Sequence, residues 1–437
     1  MFENDDRSTG GRLTTPTLRL QLEAGPQGGT AAGRAGYSLD DLGLLAYSAS
    51  VFLATPISGF SRLTHAALLL LAACLVGTAV FRKRSLAVPR DPFLACSLAF
   101  AVVVWASVLW STDQAVALPR AVGIIVAIVG SWLVLVGLWN GGRLGAVVLG
   151  AAIGAVVNGA VALEQFLGQG IVRATGLTGN ANALALQLSL AALLAFFHAR
   201  DREGAWAGRA FGIGLLGVAT VVTGSRKVLV VWLILSLWLA RSLAVQTRTW
   251  ISRFALIFVV LPVLAGGLFE YRDLLIGVVR NLHVVQRTEL LVRLEDYSSN
   301  ERLAMIATGL RMWSEAPLLG YGAEQFSVRS GFGTYSHNNY IELLVNFGLI
   351  GFMAYYAGYA AIVLRAVRNR ASRWTVPLGI GLLMAWEVGL VSHSGKVYWL
   401  FLAVLAYLAA RRREGALGPV GTALPVDLSA AHSGRQT

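Results

Sequence analysis

Charged residues and cysteines are both scarce in this sequence. Asp, Glu, Lys and Arg make up 14% of its 437 residues, whereas soluble domains usually carry roughly 25%. This shortage argues against an ordinary soluble enzyme. The two cysteines, Cys74 and Cys96, have no metal-ligand spacing around them, so we expect them to pack as small apolar side chains.

Long apolar runs account for much of the chain. Hydrophobic residues make up 56% of it, and the mean hydropathy is +0.64. A helix that crosses a bilayer needs roughly 20 mostly apolar residues, and about twelve segments approach that length. They are 41–60, 63–81, 92–110, 121–139, 144–163, 180–198, 210–224, 228–245, 254–272, 339–364, 375–392 and 397–410. Because these runs do not alternate with polar residues, they predict helices. The expected fold class is an all-α, polytopic membrane protein with about 12 transmembrane helices.

The apolar runs divide the chain into five parts. They are a tail at 1–39, transmembrane helices at 40–272, a long polar segment at 273–338, further transmembrane helices at 339–410 and a second tail at 411–437. Within the polar segment, Ser298-Ser299-Asn300-Glu301 reads as a capping box. It predicts a helix through about Ser314 that Pro317 ends. We expect the segment to form a helical, amphipathic cap on the outer membrane surface.

The distribution of positive charge predicts the orientation. With the N-terminus in the cytoplasm, 23 of the 36 Lys and Arg fall in inside loops and tails, as the positive-inside rule requires. Residues 1–39 contain no apolar signal-peptide core, so we expect both tails to lie in the cytoplasm. The net charge of +13 is then a topology signal. We therefore expect membrane lipids, and no nucleic acid, as the partners of these charges.

Several cationic residues nevertheless fall on the predicted outer side. They include Arg120, Arg173, Arg226, Lys227, Lys396 and the arginines of 270–338, with His393 close to Lys396. Anionic phosphate at the outer surface is the simplest reason, because Arg binds phosphate through two parallel hydrogen bonds. The alternative is a structural lid whose arginines rest on lipid headgroups.

His337 stands where the polar segment re-enters the membrane, within Ser336-His337-Asn338-Asn339. A neutral imidazole there could accept a proton near pH 7. The alternative is a histidine that only caps the helix. Glu342, one turn later, and Glu387, near the outer end of another span, are carboxylates in apolar segments. Such carboxylates are functional candidates by default.

Four groups of short motifs occur in order on the predicted outer side. They are Trp110-Ser111-Thr112-Asp113; Gly176-Leu177-Thr178-Gly179-Asn180-Ala181-Asn182; Thr223-Gly224-Ser225-Arg226; and a run from Arg302 through Trp313, Pro317, Gly320-Tyr321-Gly322 and His337-Asn338-Asn339-Tyr340 to Gly348-Leu349-Ile350-Gly351. With these motifs, the chain from about 40 to 410 resembles the O-antigen ligase family of bacterial membrane glycosyltransferases. The last run is the most specific of the four.

The resemblance implies an enzyme of the bacterial inner membrane whose active site faces the periplasm. Such ligases take O-antigen polysaccharide from undecaprenyl diphosphate and join it to a sugar hydroxyl of the lipid A–core oligosaccharide. These two molecules are the implied partners. The chemistry is implied to be inverting and independent of metal, with no cofactor.

The resemblance also implies roles for individual residues. His337 is the implied catalytic base, and Arg226, followed by Lys227, belongs to the implied donor-diphosphate site. At least one arginine of the long segment joins that site: Arg302 ranks first, Arg287 second, and Arg293 also competes. The candidates for supporting roles are Asn338, His393 and Lys396.

Other functions share some of these features. An O-antigen polymerase and a protein O-oligosaccharyltransferase would use the same type of donor. A lipid-linked saccharide transporter is less favoured, because transporters often show two related halves, and no such repeat is visible in the sequence. Some relatives carry an acidic residue in the last outside loop. Residues 392–396 contain none, so that role is not carried over.

Overall fold

The computed structural model describes residues 21–23, 37–53, 58–81, 86–171, 173–199, 206–225, 228, 231, 297–369 and 371–411. About 79% of these residues are helical, which confirms the prediction of a helical fold. Within the same residues, two three-residue strands, β1 (Gln21–Glu23) and β2 (Ala87–Pro89), pair in parallel. Strand β1 lies in the segment that the sequence predicts as an N-terminal tail.

The helices of the described ranges carry the labels α1 to α12 in chain order. They are α1 (Leu39–Leu53), α2 (Ser58–Phe81), α3 (Pro92–Ser107), α4 (Gln114–Trp139), α5 (Leu144–Leu167), α6 (Ala181–Ala199), α7 (Trp206–Thr223), α8 (Tyr297–Glu315), α9 (Gln325–Arg329), α10 (Asn339–Arg368), α11 (Thr375–Glu387) and α12 (Lys396–Ala410). In this part of the chain, six helices, α2 to α6 and α10, are long and apolar enough to cross a membrane. Helices α7, α11 and α12 are shorter but also apolar.

These helices indicate a membrane protein with several spans. The predicted spans at 228–245 and 254–272 lie outside the described residues, apart from Val228 and Val231. The total of about twelve spans therefore stays a prediction. Cys74 and Cys96 lie in α2 and α3, as expected, and both are free thiols.

Aspartates begin two of the long helices. Asp91 caps α3 by accepting the N–H of Phe93 at 2.9 Å, and Asp113 caps α4 by accepting the N–H of Val116 at 3.1 Å. Each carboxylate satisfies an N–H that the first helical turn leaves without a partner. Because of the Asp113 cap, α4 begins at Gln114 rather than at the predicted residue 121. Arg120 therefore lies on this helix and not in the loop before it.

Two glycines bring α5 close to α1. A Cβ added at Gly150 would lie 2.3 Å from the carbonyl oxygen of Leu45, and one added at Gly154 would lie 2.6 Å from the Cβ of Phe52. Only glycine fits at these positions without a shift of the helices. Small residues four apart are a common way for membrane helices to approach each other.

Polar contacts at one end of the bundle join segments that the sequence assigns to the inside. The N–H of Arg143 donates to Asp41 at 2.6 Å, and Arg365 forms an ion pair with Asp91. The side chain of Asn369 donates to the carbonyl of Arg411 at 2.7 Å. Each of these contacts links two segments of the same predicted side.

A second set of contacts joins segments that the sequence assigns to the outside. Arg329 donates to the hydroxyl of Thr112 at 2.8 Å, and the side chain of Gln325 donates to the backbone oxygen of Asp113 at 3.3 Å. The bundle thus has two ends whose contacts follow the predicted alternation of the loops. Which end faces the cytoplasm stays a prediction.

Helix α8 confirms the predicted helix in the long polar segment, with one correction. It ends at Glu315, two residues before Pro317, but it begins at Tyr297. The capping box is therefore wrong in its placement, because Ser298 lies inside the first turn. A short polar motif fixes a helix boundary only to within one or two residues. Helix α8 packs against α9 and α10 through a cluster of Met305, Met312, Phe326, Ile341 and Val345.

Helix α10 is interrupted at Gly348, which has φ 61° and ψ −165°. The turn at Gly320-Tyr321-Gly322 fills the interruption: the N–H of Tyr321 donates to Val345 at 2.9 Å, and the N–H of Leu349 donates to Pro317 at 2.8 Å. The fit is tight, since a Cβ at Gly320 would lie 2.6 Å from the nitrogen of Gly348. Two glycine motifs of the sequence therefore meet at one place and hold the long segment against α10.

Candidate active site

His337 has a backbone conformation that non-glycine residues rarely adopt. Its φ is 56°, and within the described residues only Glu324, with φ 63°, shares a positive φ among the non-glycines. The left-handed region is costly for side chains with a Cβ, although histidine is enriched there several-fold. Strained residues of this kind cluster at functional sites. The backbone conformation therefore indicates His337 as a candidate functional residue independently of its sequence motif.

Hydrogen bonds on both sides of His337 hold this conformation. The N–H of Ser336 donates to Glu342 Oε2 at 2.8 Å, and the Ser336 hydroxyl donates to the carbonyl of Asn338 at 2.8 Å. The side-chain oxygen of Asn338 accepts the N–H groups of Tyr340 and Ile341. Asn338 is therefore the N-cap of α10, while its supporting role in catalysis stays a prediction.

Glu342 is completely buried and links three elements. Besides the bond from Ser336, its Oε1 accepts the amide of Asn346 at 3.1 Å. The amide oxygen of Asn346 in turn accepts the N–H of Phe326 at 2.9 Å. A buried carboxylate must have its oxygens satisfied, and here the direct partners are Ser336 and Asn346, with helix α9 linked through Asn346.

Asn339 connects the start of α10 to the loop before α12. Its side-chain oxygen accepts the N–H groups of Ser392 at 3.0 Å and His393 at 3.1 Å, and it lies 2.9 Å from His393 Nδ1. His393 is fully buried, and burial lowers its pKa well below the usual value, with a further contribution from the charge of Arg120. His393 is therefore neutral at pH 7, with its Nδ1 proton directed to Asn339.

Glu387, at the end of α11, accepts hydrogen bonds from tyrosine hydroxyl groups of α10. Tyr359 donates to it at 2.7 Å, Tyr356 at 2.8 Å and Tyr355 at 3.2 Å. Ser392 also donates to Glu387. Since the N–H of Ser392 donates to Asn339, Glu387 fixes the loop that carries His393 against the start of α10.

Tyr335 contacts His337 and lies in the electrostatic field of two arginines. The rings of Tyr335 and His337 have their centroids 4.2 Å apart. Burial raises the pKa of Tyr335, whereas the charges of Arg302 and Arg120 act in the opposite direction. Arg302, the long-segment arginine ranked first from the sequence, thus acts electrostatically on the neighbour of His337. Arg120 also forms an ion pair with Glu324, with Nε and Oε2 2.7 Å apart.

The turn that leads to Arg226 is described as far as Ser225. The hydroxyl of Ser225 donates to the side-chain oxygen of Asn182 at 3.1 Å, and Arg173 Nε donates to the carbonyl of Thr223 at 3.4 Å. Two motifs of the sequence analysis therefore meet here. Four of the predicted diphosphate residues, Arg226, Lys227, Arg287 and Arg293, lie outside the described residues.

Residues 211–356 match the profile of a protein family described as O-antigen ligase. This region is therefore similar to the O-antigen ligase family. The resemblance read from the motifs is thereby confirmed for the part of the chain that holds the Thr223 turn, Arg302 and His337. The O-antigen ligase family consists of glycosyltransferase-like membrane enzymes. No curated protein matches the chain.

Two further residues, Asn158 and Lys396, lie outside the matched region 211–356. Asn158 of α5 is completely buried, and its side-chain oxygen accepts the N–H of Leu177 at 2.8 Å. It thereby fixes the Gly176–Asn182 motif, on which Ser225 rests. Lys396, the first residue of α12, is half-buried and lies within electrostatic range of His65 in α2. Its supporting role in catalysis stays a prediction.

The sequence did not identify Glu324 and Tyr335 as parts of the candidate site. The sequence indicated Arg120 as a cationic residue on the predicted outer side. Its position opposite Glu324, however, depends on the fold. The sequence does not indicate the positive φ of Glu324, because most described residues with a positive φ are glycines. Tyr335 stands two residues before His337, which is the one local hint of its place.

Proposed function

We propose that the protein is an O-antigen ligase of the bacterial inner membrane. It transfers polysaccharide from undecaprenyl diphosphate to a sugar hydroxyl of the lipid A–core oligosaccharide, on the periplasmic side. The family of residues 211–356 supports the type of enzyme. The arrangement around His337 supports the type of chemistry.

One observation carries the proposal: the strained backbone of His337. A positive φ in a residue with a side chain costs of order 1–3 kcal/mol and persists where surrounding contacts over-determine it. Ser336, Asn338 and Glu342 supply those contacts. A histidine that only capped a helix would not need this geometry, because Asn338 already caps α10.

The proposed reaction is a single displacement at the anomeric carbon of the donor sugar. The acceptor hydroxyl attacks this carbon while His337 takes its proton, and the bond to the diphosphate oxygen breaks. A positioned base contributes about 10²–10⁴-fold to such a step. The donor carries its own leaving group, so the reaction requires no ATP.

Arginines stabilise the charge that the departing diphosphate gains. Arg302, the first-ranked arginine of the long segment, acts electrostatically on Tyr335, the neighbour of His337, and Arg287 and Arg293 compete with it for this role. Arg226, followed by Lys227, belongs to this site by the family motif and comes directly after Ser225, which bonds Asn182. Asn338, His393 and Lys396 support the base and the start of α10.

A reconstituted reaction with three acceptors tests the proposal. Purified protein is given lipid-linked polysaccharide, without ATP or added metal, together with lipid A–core, with a second lipid-linked repeat unit or with a pilin-type protein. We expect transfer to lipid A–core. Transfer only to the repeat unit would identify a polymerase, and transfer only to protein would identify an oligosaccharyltransferase. Either result would overturn the ligase assignment.

A further inference from the structure

Arg120 and Glu324 form an ion pair at the outer end of the bundle, beside the proposed base. Arg120 lies in the second turn of α4, and Glu324 directly precedes α9. Their Nε and Oε2 atoms are 2.7 Å apart, and the two side chains are 32% and 19% exposed. The two contacting atoms are buried, whereas each side chain keeps part of its surface exposed.

The backbone around Glu324 is held in place by its neighbours. Gln325 exchanges two hydrogen bonds with the backbone of Asp113, both at 3.3 Å. A Cβ added at Gly322 would lie 2.8 Å from the carbonyl oxygen of Ser107. These contacts fix the turn against the start of α4. They keep Glu324 in its left-handed conformation, with its carboxylate on Arg120.

The pair shares its surroundings with His337. Arg120 and Arg302 both act electrostatically on Tyr335, whose ring is 4.2 Å from that of His337. Hydrogen bonds also link the segment of Glu324 to that of His337: the N–H of Phe326 bonds Asn346, and Asn346 bonds Glu342, which accepts the N–H of Ser336. Glu324 is the carboxylate paired with Arg120.

We propose that Arg120 is a further ligand of the donor diphosphate and that Glu324 is its counterion in the empty protein, displaced when the lipid diphosphate binds. The inference rests on the proposed function and deepens it. Guanidinium binds phosphate oxygens through two parallel hydrogen bonds. A partly exposed ion pair contributes little net stability, so the exchange of one anion for another has a low cost. In the empty protein, the negative charge of Glu324 also reduces the repulsion between Arg120 and the other cationic residues of the donor site.

Glu324 could instead act on the acceptor sugar, and the two roles predict opposite kinetics. A counterion competes with the donor, so its removal strengthens donor binding and leaves the chemical step intact. An acceptor-binding or catalytic carboxylate contributes to turnover, so its removal lowers kcat or raises the KM of the acceptor. Glu324→Gln keeps the size of the side chain and removes only its charge.

The test measures the Kd of undecaprenyl diphosphate and the kinetics of both substrates for full-length variants in lipid nanodiscs. For Glu324→Gln we expect the Kd to fall by about 2–5-fold, which corresponds to the loss of a partly exposed ion pair, with kcat unchanged. For Arg120→Ala we expect the Kd and the donor KM to rise at least about tenfold, with the acceptor KM unchanged. Arg120→Lys should lie between, because Lys gives a point charge without the fork.

Arg329→Ala is the matched control. Arg329 lies at the same end of the bundle, bonds Thr112 and stands over the ring of Tyr321 at 4.3 Å. Its removal should leave the donor Kd unchanged. An unchanged donor Kd in both Arg120→Ala and Glu324→Gln would overturn the inference, as would a fall in kcat in Glu324→Gln. Arg226→Ala keeps the two proposals separate: if it weakens donor binding while Arg120→Ala does not, the donor site stands and only the role of Arg120 fails.

Discussion

The side-chain oxygen of Asn339 accepts the backbone N–H of His393 at 3.1 Å and lies 2.9 Å from its Nδ1. The two contacts fix both the backbone and the ring of His393. They also set its tautomer, because the amide oxygen can only accept. His393 is therefore a buried neutral histidine that holds the start of α10, while His337 is the histidine whose geometry fits a base.

Stability should fall at acidic pH because of His393. Its folded-state pKa is lowered, whereas an unfolded histidine titrates near about 6.5. Below that pH the unfolded chain binds an extra proton, so the stability present above about pH 6.5 is lost as the pH falls, by up to about 1.4 kcal/mol per pH unit. Thermal unfolding from pH 7.5 to 5 in detergent measures this slope.

The variant His393→Asn removes the titration and keeps an N–H donor for Asn339. We expect it to flatten the acid limb of the stability profile. His432→Asn, in the predicted C-terminal tail, is the control and should retain the wild-type slope. A steep acid limb in His393→Asn would show that another group causes it.

Glu342→Gln should reduce turnover by at least about tenfold. The glutamine has one carbonyl oxygen where the carboxylate accepts from both Ser336 and Asn346, so one donor loses its partner. A buried donor left without a partner costs about 1–3 kcal/mol, and here the loss would release the backbone of His337. Transfer assays with equal amounts of folded protein measure the effect. Glu301→Gln, at an exposed position of α8, should have normal turnover, and equal rates for the two variants would refute the role of Glu342.

Gly348→Ala should destabilise the protein strongly. The added Cβ would lie 2.2 Å from the carbonyl oxygen of Leu318, and φ 61° with ψ −165° is a region that non-glycine residues avoid at a cost of about 1–3 kcal/mol. We expect a clear drop in Tm. Gly123→Ala in α4 is the control, because nothing lies within 4 Å of its added Cβ. A Tm of Gly348→Ala equal to that of Gly123→Ala would mean that the long segment does not pack into α10 as described.

Much of the helical fold could be predicted because the apolar runs in the sequence are long. An apolar run of membrane-spanning length has few alternatives, and the predicted spans at 63–81, 144–163 and 180–198 differ from α2, α5 and α6 by a few residues. Boundaries set by a single cap were less accurate. Asp113 extended α4 toward Arg120, and α8 began before its predicted serine cap.

The candidate site was only partly predictable for a physical reason. The motif around His337 is continuous in sequence, so His337 and Asn338 could be named as candidate residues. Arg120 and Glu324 are separated by two hundred residues of sequence, and their contact depends on the turn that Gly322 allows. The role of Asn339 also depends on a loop that is distant in the chain.

The orientation of the bundle can be tested by thiol labelling. In a background without Cys74 and Cys96, Ser314→Cys lies at an exposed position of α8, and Arg373→Cys lies at an exposed position of the opposite end. We expect a membrane-impermeant reagent to label Ser314→Cys in intact spheroplasts and Arg373→Cys only after lysis, because the positive-inside rule places the basic end in the cytoplasm. The reverse pattern would invert the topology and remove the periplasmic site.

The rate of polysaccharide transfer by His337→Ala tests whether His337 is the catalytic base. Purified variant and wild-type protein are compared with lipid-linked polysaccharide and lipid A–core at saturating concentrations, with undecaprenyl diphosphate binding as the check on folding. If His337 is the base, kcat falls by about 10²–10⁴-fold with donor binding retained, and His337→Gln, whose amide cannot take the proton, does not recover it. Turnover close to wild type in His337→Ala would remove His337 from the reaction.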